Sequence, residues 1–90
     1  MTETREAMIK RMRMRSMRRG IKEMDLILSA YADAHIADMT DADLALYDAL
    51  LAENDHDIYG WVGGQLAVPE EYTKLVAQIT EGAHGITRPT

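Results

Sequence analysis

Apolar residues return at helical spacing in three separate stretches, and this periodicity constrains the fold of the 90-residue chain more than any other feature. Ile21, Met24, Leu28 and Tyr31 recur three or four positions apart, with Ile27 widening the stripe. Leu44, Tyr47, Leu50 and Leu51 share a second face. Tyr72, Leu75, Val76 and Ile79 form a third, at i, i+3, i+4 and i+7. Helix punctuation separates them. The first stripe fades between His35 and Asp38, and Thr40 suits an N-cap, with Asp41 and Asp43 complementing the helix dipole. Asn54-Asp55 closes that helix, and Asp55 is placed to cap a short one over 56–62, which Gly63-Gly64 ends. Pro69 suits the first position of a last helix, with Glu70 and Glu71 in its opening turn. Gly82 and Gly85 stop it, and "ITRPT" is expected to fray.

The stretch "RMRMRSMRRGIKEMD", residues 11–25, admits a rival reading, because Arg11-Met12-Arg13-Met14-Arg15 alternates with the period of a strand. Met and Arg are good helix formers, no β-branched residue lies between Lys10 and Gly20, and a lone strand is not stable. As a helix, the stretch lines up Arg11, Arg15, Arg18 and Lys22 as a basic ridge. Met8 and Met12 lie on another side, and Met14 and Met17 flank it. The expected fold is therefore all-α, a compact five-helix antiparallel bundle. It forms a single small domain over 1–90, with a core of about 5–81 and a frayed tail at 82–90.

The net charge of −5 conceals a dipole along the sequence. Residues 1–23 hold eight Lys/Arg against three Glu, +5, whereas residues 24–90 hold two against twelve Asp/Glu, −10. The basic segment therefore packs against its own acidic helices or meets an acidic partner. The acidic remainder and a pI near 5.0 argue against nucleic acid. The chain has no cysteine, which removes disulfides, thiolate nucleophiles and cysteine-ligated metals. No apolar run approaches the roughly 18 residues of a membrane span, so no direct membrane insertion is expected. The Arg-rich start resembles a mitochondrial presequence, but it leads straight into core-like residues. Bacterial cytoplasm is the first expectation for its location and the mitochondrial matrix the alternative.

The motifs with a chemical reading fail in their particulars. Asp55-His56-Asp57-Ile58-Tyr59-Gly60 opens like a calcium loop, yet Tyr59 and Leu66 stand where oxygen ligands are required. His35, His56 and His84 lack metal-ligand spacing, and no Lys-Ser/Thr follows Gly60-Trp61-Val62-Gly63-Gly64. Trp61 reads as a core anchor. No Ser–His–acid set can be assembled, so no catalytic residue, metal site or enzymatic activity is expected. A domain this small also has little core to spare for a buried cleft.

Gly20 remains. A glycine inside a helix costs about 1 kcal/mol relative to alanine. At this position it reads either as a plain corner between helices or as a gap that lets another backbone approach, edged by Arg19 and Glu23.

Arg19-Gly20-Ile21-Lys22-Glu23-Met24-Asp25 resembles the R-G-x-x-E signature of the succinate dehydrogenase flavinylation (FAD assembly) factors of the SdhE type. "RSMRRGIKEMDLIL", "DLALYDALLAENDHDIYGWVGG" and "VPEEY" follow in that family's order and spacing over roughly residues 5–80. Most specific is the combination of R-G-x-x-E, the acidic residue two positions on, and the downstream D-x-D-[LI]-[YF]-x-W. Met17 departs from the aromatic that many members carry there.

The resemblance implies a five-helix assembly chaperone, not an enzyme. Such a factor binds the flavoprotein subunit of succinate dehydrogenase, and often of fumarate reductase, and promotes covalent attachment of FAD to a histidine there. It implies action on the partner's FAD and no cofactor of the chain's own. It places Arg19, Gly20 and Glu23 at the partner surface, with Arg18 and Asp25 as supports. The alternative is a non-enzymatic helical protein–protein interaction domain serving another client.

Overall fold

The computed structural model describes residues 3–17 and 20–87, with side chains through Ala83. Five helices account for the regular structure: α1 (Arg5–Ser16), α2 (Lys22–His35), α3 (Asp41–Leu51), α4 (Asp55–Val62) and α5 (Thr73–Thr87). Short 3₁₀ turns at Ile36–Asp38 and Glu70–Tyr72 join α2 to α3 and lead into α5. There is no strand among the described residues.

The helix starts follow from their caps. Thr4 Oγ1 accepts the Ala7 amide at 3.1 Å, Thr40 Oγ1 the Asp43 amide at 3.1 Å, and Asn54 Oδ1 the His56 amide at 2.8 Å. Asn54, not Asp55, is thus the cap of α4, and Asp55 is its first helical residue. Gly64 follows α4 at φ +81°, a conformation that favours glycine. Pro69 precedes the 3₁₀ turn, so Glu70 and Glu71 lie in that turn and α5 proper begins at Thr73. The stop expected at Gly82 and Gly85 does not occur, because α5 continues through both to Thr87. Glycine weakens a helix by about 1 kcal/mol, which the apolar stripe of Leu75, Val76, Ile79 and Ala83 offsets by burial.

The core is the meeting of the sequence stripes. Met24, Ile27, Leu28 and Tyr31 of α2 are buried with Leu44, Tyr47, Leu50 and Leu51 of α3 and with the α5 stripe. Met12 of α1 and Ile58 and Trp61 of α4 complete it. Central to the bundle is α2, which packs against α5 and α1 and touches α4. Met12 is the methionine of α1 that is fully buried, while Met14 is 62% exposed. One polar side chain enters the core among the described residues, Ser16. Its hydroxyl donates to Met12 O at 2.8 Å and lies 2.7 Å from Tyr47 Oη, so the end of α1 is pinned to α3.

The charge dipole is largely satisfied within the fold. Arg11 and Arg15 converge on Asp48 of α3, with nitrogen–oxygen distances of 2.9 and 2.7 Å to Oδ1. Arg11 also holds Glu3, Arg5 pairs with Asp41 and reaches the Met39 carbonyl, and Arg13 faces Asp33 at 3.7 Å. The Arg11 guanidinium keeps the carboxyls of Asp48 and Glu3 below their usual values, and is itself pushed further from deprotonation. The continuous ridge expected over Arg11, Arg15, Arg18 and Lys22 is not formed, because α1 ends at Ser16 and Lys22 opens α2. Arg18 lies outside the described residues. Four arginines of α1 are thus paired with the chain's own carboxylates while remaining partly exposed.

Candidate docking site

Gly20 sits on the surface immediately before α2, and Ile21 caps that helix in extended conformation with φ −112° and ψ 121°. No side chain caps α2, but Glu23 and Asp25 in its first turn offset the positive end of the helix dipole. Ile21 turns inward against the core, which orients the corner and leaves Lys22 and Glu23 exposed.

The corner is held from α4. The Gly20 amide donates to Asp55 Oδ2 at 2.8 Å. One helical turn on, Tyr59 Oη donates to Glu23 Oε2 at 2.7 Å. The bond to Glu23 raises the Tyr59 phenol above its usual value, since the neighbouring carboxylate opposes a second negative charge. Asp55 and Tyr59 stand at i and i+4 on α4, so both reach the same side. Behind the corner, half-buried Asp25 accepts the Ser29 hydroxyl at 3.3 Å.

The glycine now has a specific steric reason. A Cβ at Gly20 would lie 3.2 Å from Asp55 Oδ2, tighter than ordinary contact, so a side chain there presses on the carboxylate that binds its own amide. The close approach that Gly20 permits is made within the chain, by Asp55.

Of the residues singled out by sequence, Gly20 and Glu23 share this exposed corner and Asp25 lies behind it. Arg18 and Arg19 lie outside the described residues. Asp55 and Tyr59 were missed as site residues, though both fall in the downstream segment whose co-occurrence with R-G-x-x-E was the sequence signal. In the structure the two motifs bond to each other. Asp55, Asp57 and Gly60 are wound into α4, so the D-x-D-x-x-G pattern is not a calcium loop. Among the described residues, no group of three or more His, Asp or Glu is placed to hold a metal.

Comparison with known proteins shows the family. Residues 10–83 match the family described as flavinator of succinate dehydrogenase (Sdh5). The chain belongs to this family. Succinate dehydrogenase assembly factor 2, mitochondrial, of Schizosaccharomyces pombe is 43% identical over 70 residues, which is 78% of this chain and 50% of that protein. Assembly factor 2-B, mitochondrial, of Drosophila mojavensis is 37% identical across 96% of this chain and 57% of its own length. The chain thus spans about half the length of these curated relatives. The matched residues include the whole corner and the α4 segment that holds it.

No helix among the described residues is long and apolar enough to cross a membrane.

Proposed function

We propose that this protein is an assembly factor that docks on the flavoprotein subunit of succinate dehydrogenase and promotes covalent attachment of FAD to a histidine of that subunit. The observation that carries the proposal is the corner itself. Two motifs 35 residues apart bond at Gly20–Asp55 and Glu23–Tyr59, on the surface of a chain that belongs to the flavinator family. The flavoprotein of fumarate reductase is the second client in this reading. Arg19, Gly20 and Glu23 form the partner surface, with Arg18 and Asp25 supporting it.

The chemistry belongs to the client. Joining FAD to histidine requires the flavin, the imidazole and stabilising charges to be held in near-attack geometry. A docked factor that binds one arrangement of the flavoprotein better than others shifts its population toward that arrangement, and needs no catalytic group of its own. Arg19 is suited to an anion-binding cavity of the client, and Glu23 to orienting Arg19 or pairing with a cation there.

In this reading FAD is the client's group and not a resident of this chain. Among the described residues, one cleft of about 570 Å³ lies between α2, α3 and α5. It presents Asp38, Asp43 and Glu81 against Lys74, an arrangement that repels a diphosphate. The compartment follows the client: bacterial cytoplasm is the first reading, and the mitochondrial names of the relatives support the matrix as the alternative.

The test is co-production of the flavoprotein subunit with wild-type protein or with Arg19→Ala. Loss of both complex and covalent flavin with the variant is expected. Wild-type levels of both would sink the proposed role of Arg19.

A further inference from the structure

We propose that Asp55 and Tyr59 are positioning residues of the docking site: from α4, they fix the Gly20 backbone and the Glu23 carboxylate in the arrangement that the flavoprotein subunit receives. The inference rests on the docking role of the corner and adds what sets its shape.

Gly20 and Glu23 are both exposed, and neither is held by core packing of its own side chain. An exposed carboxylate on a flexible stem samples many rotamers, and restricting it before binding removes an ordering cost from association. Tyr59 does this from a firm base, since its ring packs against the core while its hydroxyl reaches Glu23 at 2.7 Å. Its backbone neighbour Ile58 is fully buried, so the base does not move with the surface. Asp55 fixes the other end. Gly20 has no side chain with which to define its own place, and its amide is anchored at 2.8 Å by a carboxylate in the first turn of α4. The two bonds are separated by one turn of α4 and by three residues at the corner, so together they set both position and rotation of the chain from Gly20 into the first turn of α2. Neither bond lies in the core: both reach the exposed side of the corner, while the core is built from the helix stripes with Met12, Ile58 and Trp61.

The experiment titrates the purified FAD-free flavoprotein subunit of succinate dehydrogenase with full-length wild type, Tyr59→Phe, Asp55→Ala and Asp55→Asn. Amide hydrogen exchange at Gly20 is followed in each free protein. Tyr59→Phe keeps the ring, and Asp55→Asn keeps an oxygen able to accept the Gly20 amide. Tyr59→Phe and Asp55→Ala are each expected to weaken binding roughly three- to tenfold, the worth of one hydrogen bond to a charged group in a partly solvated setting. Asp55→Asn is expected to recover most of that loss. Gly20 exchange is expected to quicken in Asp55→Ala and not in Tyr59→Phe. Unchanged affinity in Asp55→Ala with quickened Gly20 exchange would overturn the role of Asp55, and unchanged affinity in Tyr59→Phe would overturn that of Tyr59, because the contacts would then be structural only. Wild-type protein that does not bind the subunit at all would overturn the docking reading, and the positioning role with it.

Discussion

Substituting Ser16 and Tyr47, singly and together, tests the polar contact that fixes the end of α1 just ahead of the docking corner. Both residues are fully buried. Ser16 has one hydroxyl proton, which it donates to Met12 O at 2.8 Å, so the 2.7 Å contact is Tyr47 Oη–H donating to Ser16 Oγ. Tyr47 Oη also lies 3.4 Å from Leu28 O. Tyr47→Phe removes one buried hydrogen bond but leaves Ser16 its donation to Met12, and is expected to cost about 1 kcal/mol. Ser16→Ala removes the acceptor at 2.7 Å and leaves the more distant Leu28 carbonyl, at a cost of about 1–2 kcal/mol. The double variant has no hydroxyl pair to disrupt, so its loss should fall short of the summed single losses by about 1 kcal/mol. Urea unfolding reads this directly, as a change in midpoint at constant slope. In a domain of this size, each 1 kcal/mol also lowers Tm by about 4–8 °C. Losses that add within about 0.3 kcal/mol would refute the coupling and with it the pinned end of α1.

Asp48 governs the acid side of stability. Its folded value lies below the ordinary aspartate value of 3.8 because Arg11, and then Arg15, favour the charged form. Its contribution is therefore complete above about pH 4 and lost as pH falls through the depressed folded value. Solvent screening of the half-exposed arginines holds the contribution to about 1 kcal/mol, and Asp48→Asn should flatten the acid limb of a stability–pH curve measured in low salt. Leu28→Ala, at a fully buried site on the central helix, should cost about 2–5 kcal/mol by urea unfolding. Gly64→Ala meets no atom within 4 Å, so its cost should be conformational alone, about 1 kcal/mol from the positive φ. A truncation of residues 1–16 should unfold the domain, read by circular dichroism, because Met12 and Ser16 belong to the core.

The helices were legible because their stripes are wide and their caps chemically plain. Thr40 and the faces of α2, α3 and α5 could be read from residue type and spacing alone. The limit of α5 could not, since Gly82 and Gly85 signal a stop that tertiary burial of Ile79 and Ala83 overrides. The basic ridge was misleading for a related reason. A sequence records that Arg11 and Arg15 are cations but not that Asp48, more than 30 residues away, receives both. Gly20 and Glu23 were visible through the R-G-x-x-E resemblance. Their partners Asp55 and Tyr59 were visible only as a second motif, because contact across 35 and 36 residues is set by how α4 packs on α2.

The proposed role of the Gly20 corner is to serve covalent flavinylation of a succinate dehydrogenase flavoprotein. It is met most directly by in-gel flavin fluorescence of the denatured subunit, co-produced with wild-type protein, with Gly20→Arg, or with no factor. Circular dichroism of Gly20→Arg should show a folded protein, since the glycine is exposed and only the Asp55 carboxylate must give way. Fluorescence is expected to require the wild-type protein and to be lost with folded Gly20→Arg. Equal fluorescence in all three samples would contradict that role.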